Sequence, residues 1–141
     1  KEIGNNIEVF EKACPLFVPI AEEGWIHHRA TYEIAEEYLK ELREKDIDTL
    51  VLGCTHYPIL ADIIQEVIGK DVKLIDSGVA TAEVVRNEIS RIGLETNSAV
   101  PGNLDVYVSD IPTTFKQVAE LFLGRSINEV VKVDIEEFHK V

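Results

Sequence analysis

The chain has 141 residues, with 14 Lys and Arg against 26 Asp and Glu and a formal net charge of −12, a balance that disfavours a nucleic-acid backbone or an acidic membrane surface as partner. No stretch approaches the roughly 18 apolar residues of a membrane span, and the length suits one domain with its own core. Two cysteines with no spacing motif do not make a disulfide framework, so free thiols in a reducing cytoplasm are expected. The sequence contains no methionine and opens on Lys1-Glu2-Ile3-Gly4. The expectation is therefore a fragment, with some apolar surface belonging against segments outside it.

In chain order, Ile7 to Cys14 clusters β-branched and aromatic residues and predicts a strand ended by Pro15. Pro19 interrupts the next stretch, so Leu16 to Glu23 reads as a loop or short helix with a polar tip at Glu22, Glu23 and Gly24. From His27 to Glu44, Ala30, Ile34, Tyr38 and Leu42 recur every four residues and mark one helix face. The interleaved acidic and basic residues from Glu33 to Glu44 read as its solvated side. Asp46 to Asp48 turns the chain into a central strand, Thr49 to Gly53.

A helix follows Pro58 and runs to Ile68, buried through Leu60, Ile63, Ile64 and Val67 and closed by Gly69. Val72 to Asp76 is a strand followed by Ser77-Gly78, and Thr81 to Ile92 a helix followed by Gly93. Glu95 to Asn103 is rich in loop formers. Beyond it lie a strand at Leu104–Val108, a helix at Thr113–Leu123 with Phe115, Val118, Ala119 and Phe122 inward, and a last strand at Val130–Val133. This alternation predicts an α/β fold with a doubly wound, mainly parallel sheet.

The stretch that carries chemistry is Leu50-Val51-Leu52-Gly53-Cys54-Thr55-His56-Tyr57-Pro58. Strand formers stop at a glycine, and a thiol, a hydroxyl and an imidazole follow before a proline-started helix. The carboxyl end of a parallel strand faces the unpaired N–H groups of the next helix, which favours an anionic ligand and a thiolate. Cys54 can serve as nucleophile, general base, metal ligand or core residue. Cys54 and His56 supply only two ligands, and His27-His28 lie far off in sequence, so a metal site is disfavoured. Cys14, flanked by Ala13 and Pro15, reads as structural.

Three blocks in order carry a family resemblance: Ala13-Cys14-Pro15-Leu16-Phe17-Val18-Pro19, Val51 to Pro58, and Leu74-Ile75-Asp76-Ser77-Gly78. Together they resemble the second half of a glutamate racemase, within the Asp/Glu racemase family, and Phe115 to Gly124 resembles that family's C-terminal helix. Aspartate racemase relatives look similar around this cysteine but typically carry an acidic residue where His56 stands.

The resemblance implies a cofactor-independent enzyme of two α/β lobes, with glutamate held between them and one acid/base cysteine from each. By position Cys54 is one of the pair, His56 assists its proton transfer, Thr55 binds a substrate carboxylate or ammonium, and Glu22 supports the site. Asp76 and Ser77 border the cleft or cap a helix. Residues 1–78 correspond to part of the second lobe, and 79–141 to a segment that returns to pack on the first lobe. That lobe, with the other cysteine, has no counterpart in this sequence, so the chain alone is expected to be inactive and prone to homo-oligomerise. The family role implied is D-glutamate supply for peptidoglycan in the cytoplasm. Two other classes fit the residue types: a Cys-His thiol hydrolase, and a non-catalytic module that receives an anion at a helix start.

Overall fold

A computed structural model describes residues 7–110 and 112–135 of the chain. It divides into two compact units, one holding residues 7–21 and 25–77, the other residues 22–24 and 78 onward.

The first unit is built on a parallel pair, β1 (Thr49–Leu52) and β2 (Lys73–Asp76), in register from Thr49 opposite Lys73 to Leu52 opposite Asp76. Its helices are α1 (Phe17–Glu22), α2 (Arg29–Glu44) and, in the crossover, a 3-10 turn (Tyr57–Leu60) leading into α3 (Ala61–Ile68). One core collects Cys14, Phe17 and Ile20 with Ala35, Leu39 and Leu42 of α2, Leu52 of β1, Leu60, and Ile63, Ile64, Val67 and Ile68 of α3.

Helix α2 begins two residues later than the periodicity suggests because His28 caps it: its backbone is extended and its Nδ1 accepts a hydrogen bond from the Ala30 N–H at 3.1 Å. The buried stripe is Thr31, Ala35, Leu39 and Leu42, one position round from the expected Ala30, Ile34 and Tyr38. Tyr38 falls at the stripe's edge because its hydroxyl has a polar task, accepting from the Leu16 N–H at 3.2 Å. Thr31 is fully buried without cost, since its hydroxyl donates to the Trp25 carbonyl at 2.6 Å.

Ile7 to Cys14, expected as a strand, has no ladder partner and runs irregularly. Strand propensity needs a neighbour to become a strand. Side chains hold the segment instead: Lys12 pairs with Glu41 of α2 at 2.9 Å, and the Lys45 ammonium lies 5.3 Å from the centre of the Phe10 ring. At the far end of the crossover Gly69 adopts φ +109°, which strains any side-chain-bearing residue. Gln65 Nε2 donates to the carbonyls of Gly69 at 2.7 Å and Val72 at 3.0 Å, tying the end of α3 to the start of β2.

The second unit contains α4 (Ser77–Arg91), β3 (Val106–Val108), α5 (Pro112–Leu123) and β4 (Val130–Lys132), with β3 and β4 again parallel. Helix α4 starts directly at Ser77, four residues before the expected Thr81. The strands are thus parallel and alternate with helices as expected, but fall into two separate two-stranded sheets.

Among the described residues of this unit only Ile127 and Val130 are buried apolar side chains, and no residue of α4 is buried. Val79 and Val85 of α4 are 59% and 49% exposed. Phe115 and Phe122, expected inward, are 44% and 43% exposed. Two strands of three residues are too small to cover both rings. No described helix is long and apolar enough to cross a membrane.

The two units therefore differ in how much a truncation costs. Ile64→Ala is expected to lower the unfolding free energy by about 2–5 kcal/mol, and Val85→Ala to change it by less than about 0.5 kcal/mol. Urea denaturation followed by the fluorescence of Trp25, the only tryptophan, measures both.

Candidate active site

The turn that follows β1 is determined by its backbone. Leu52 buries its side chain and ends the strand, and Gly53 and Cys54 leave the ladder at its carboxyl edge. The Tyr57 N–H donates to the Cys54 carbonyl at 3.1 Å and the Ile59 N–H to the His56 carbonyl at 3.3 Å, so the chain winds into the 3-10 turn at once. Pro58 sits where a first-turn N–H would have no helical partner.

This winding brings the side chains of Cys54 and His56 together, two residues apart, with Sγ 4.0 Å from Nδ1. Both are half-buried, whereas Thr55 between them is exposed. The parallel register sets Asp76 beside Leu52, so the ends of β1 and β2, with Cys54 and Ser77 just beyond them, lie on the same edge of the sheet. A thiol and an imidazole at this separation, half-shielded from water, can exchange a proton with each other or with a small molecule presented at the strand ends.

Of the other expected residues, Glu22 is the exposed last residue of α1 and belongs to the second unit. His27 and His28 are exposed, and His28 is engaged as the α2 cap. Among the described residues no group of three or more His, Cys, Asp or Glu is placed to hold a metal ion.

Cys14 is 5% exposed and is the structural cysteine expected from its neighbours. Burial pushes its thiol above the usual cysteine range, with Lys12 nearby pulling the other way. Tyr57 makes a structural tie that sequence reading missed. Its hydroxyl donates to the Cys14 carbonyl at 3.1 Å, and its ring stands edge-on to Phe17 with centroids 5.4 Å apart. Burial foremost, and then the neighbouring Cys14 and Cys54 thiols, push its phenol above the usual tyrosine range. The signal available in the sequence was an aromatic next to His56 with a polar tip that had to find a partner if buried.

This α/β framework with parallel strands is shared with known proteins. The chain belongs to the Asp/Glu/Hydantoin racemase family, which matches residues 8–85. It is 45% identical over 138 residues to a glutamate racemase of Thermoanaerobacter sp. strain X514, covering 98% of this chain and 52% of that protein. It is 47% identical over 137 residues to a glutamate racemase of Geobacter metallireducens, covering 96% of this chain and 50% of the relative.

Among solved structures, the Francisella tularensis glutamate racemase in complex with D-glutamate superimposes with a TM-score of 0.80 at 35% identity, covering 94% of this chain and 49% of that one. The Thermus thermophilus glutamate racemase in complex with β-chloro-D-alanine gives 0.78 at 37% identity, covering 89% and 48%. The chain spans about half the length of the relatives it matches.

The two thiols are expected to behave differently. Iodoacetamide should label Cys54 and leave Cys14 unlabelled in the folded chain, and both should react in urea, as read by peptide mass mapping. Because the folded pKa of Cys14 is raised, the folded state keeps a proton that the unfolded state releases near pH 8.5. Its contribution to stability is fully present below about pH 8.5 and is lost as pH rises through the raised value. Urea midpoints at pH 7.5 and 9.5 should therefore differ by less in Cys14→Ala than in the wild type.

Proposed function

We propose that this chain is the C-terminal half of a glutamate racemase that interconverts L- and D-glutamate without a cofactor. The observation that carries the reading is the Cys54 Sγ to His56 Nδ1 contact of 4.0 Å at the carboxyl end of β1, in a chain of this family. Abstraction of the Cα proton requires a base on one face of the amino acid and an acid on the other. Cys54, as thiolate, takes the α-proton of L-glutamate. A second cysteine from the first lobe, as thiol, delivers a proton to the opposite face, and the roles reverse for D-glutamate. His56 assists the proton transfer at Cys54, Thr55 binds a carboxylate or the ammonium of the substrate, and Glu22, the last residue of α1, supports the site. Imidazole at position 56, where aspartate racemases carry an acid, favours glutamate over aspartate.

Residues 79–141 return to the first lobe, a reading supported by the bare apolar side chains of α4. Without that lobe the chain lacks the second cysteine and is inactive alone, and its apolar helix faces favour homo-oligomers. In the cell the product supplies peptidoglycan synthesis in the cytoplasm.

Exchange of the α-proton of L- and D-glutamate in deuterated water tests this, using the full-length protein that contains the chain. Both enantiomers should exchange and interconvert, Cys54→Ser should reduce interconversion by at least about 100-fold, and the 141-residue chain alone should leave glutamate untouched. Full-length protein that does not exchange either enantiomer overturns the assignment.

A further inference from the structure

Tyr57 is fixed at both ends of its structure. Its backbone N–H donates to the Cys54 carbonyl and closes the turn that contains Thr55 and His56. Its hydroxyl, on the far side of the ring, donates to the Cys14 carbonyl at 3.1 Å, a residue 43 positions earlier. Between these ends the ring stands at 89° to Phe17, one of the largest fully buried side chains, and Phe17 stands at 82° to Tyr38. The turn that presents Cys54 cannot rotate about the end of β1 without withdrawing this hydroxyl from its acceptor.

The acceptor is doubly used. The Cys14 carbonyl also receives the Phe17 N–H at 3.1 Å, which starts α1. Removing the Tyr57 hydroxyl therefore leaves that buried carbonyl with a partner, and the ring packing intact, so the structural cost is small. What is lost is a side-chain tether between the Cys54–His56 turn and the segment that leads into α1.

We propose that Tyr57 is a positioning residue: its hydroxyl bond to the Cys14 carbonyl holds the Cys54–His56 turn so that Sγ and Nδ1 remain within reach of each other. This rests on the reading of Cys54 and His56 as a working thiol–imidazole pair. As a positioning residue it acts through the turn.

The test measures the rate of Cys54 alkylation by iodoacetamide between pH 6 and 9 in the 141-residue chain, located by peptide mapping. The variants are Tyr57→Phe, His56→Ala, the double variant and Tyr38→Phe. Tyr57→Phe should slow alkylation at pH 7 by about three- to tenfold, the scale set by one hydrogen bond. Its pH profile should move towards that of His56→Ala, and the double variant should lose no more than the larger single loss.

Tyr38→Phe, which removes a hydroxyl from the same aromatic stack but not this tether, should keep the wild-type profile. Continued protection of Cys14 certifies that each variant is folded. A Tyr57→Phe profile superimposed on wild type, losses that multiply in the double variant, or an equal loss in Tyr38→Phe overturns the proposal. Thiol reactivity is read without substrate. A null result for Tyr57→Phe beside a shifted His56→Ala thus strikes Tyr57 alone, and a failure of α-proton exchange strikes the racemase reading alone.

Discussion

Pairing β1 with β2 in parallel obliges the chain to cross from the carboxyl end of one strand to the amino end of the next, which no tight turn can do. The crossover must leave the sheet at the end of β1, climb through the 3-10 turn and α3, and return at Lys73. Its first residues are Gly53, Cys54, Thr55 and His56, and they are wound tightly because the helix starts at once. The same requirement buries α3 against α2, where Ile63, Ile64, Val67 and Ile68 meet Ala35, Leu39 and Leu42. The Cys54–His56 turn is thus a by-product of parallel pairing, next to the most extensive apolar packing among the described residues.

The polar groups near that packing are settled locally. Thr31 gives its hydroxyl to Trp25, Gln65 bridges two carbonyls at the end of α3, and Tyr57 and Tyr38 each satisfy a backbone group of the Cys14–Leu16 segment. Among the described residues no buried side-chain nitrogen or oxygen lacks a hydrogen-bond partner. Charged groups contribute little to this order. The pair Arg29–Glu33 is a helix-surface contact exposed to solvent and Lys116–Glu120 a half-buried one with its charges 3.9 Å apart, and such surface ion pairs are weak. Among its described residues the second unit has no comparable interior, and its parallel strands meet over only three residues each. A helix such as α4 gains little stability from propensity alone and normally requires a packed face.

Much of the local structure is legible in the amino acids. Glycines at 69 and 93 end helices with positive φ, Pro58 opens a helical turn, and the four-residue spacing in α2 finds the helix if not its buried face to the residue. Three features are not legible for a shared reason: each depends on what stands opposite. Ile7 to Cys14 has strand composition and no strand beside it. Phe115 and Phe122 have inward spacing and too small a sheet to cover them. Tyr57 reads as one more aromatic in a motif until the Cys14 carbonyl is placed within reach of its hydroxyl.

By itself the sequence determined the family, the parallel α/β character and the order Gly-Cys-Thr-His after a strand, because these follow from residue type and spacing along one short stretch of chain. Only the tertiary structure decided that Cys54 and His56 face one another at 4.0 Å, that Cys14 is sealed in the core, and that Tyr57 joins the two cysteine segments. Those outcomes depend on side-chain direction and on contacts between residues some forty positions apart. Local propensity carries no information about either, since the partner that satisfies a hydroxyl or shields a thiol is chosen by packing.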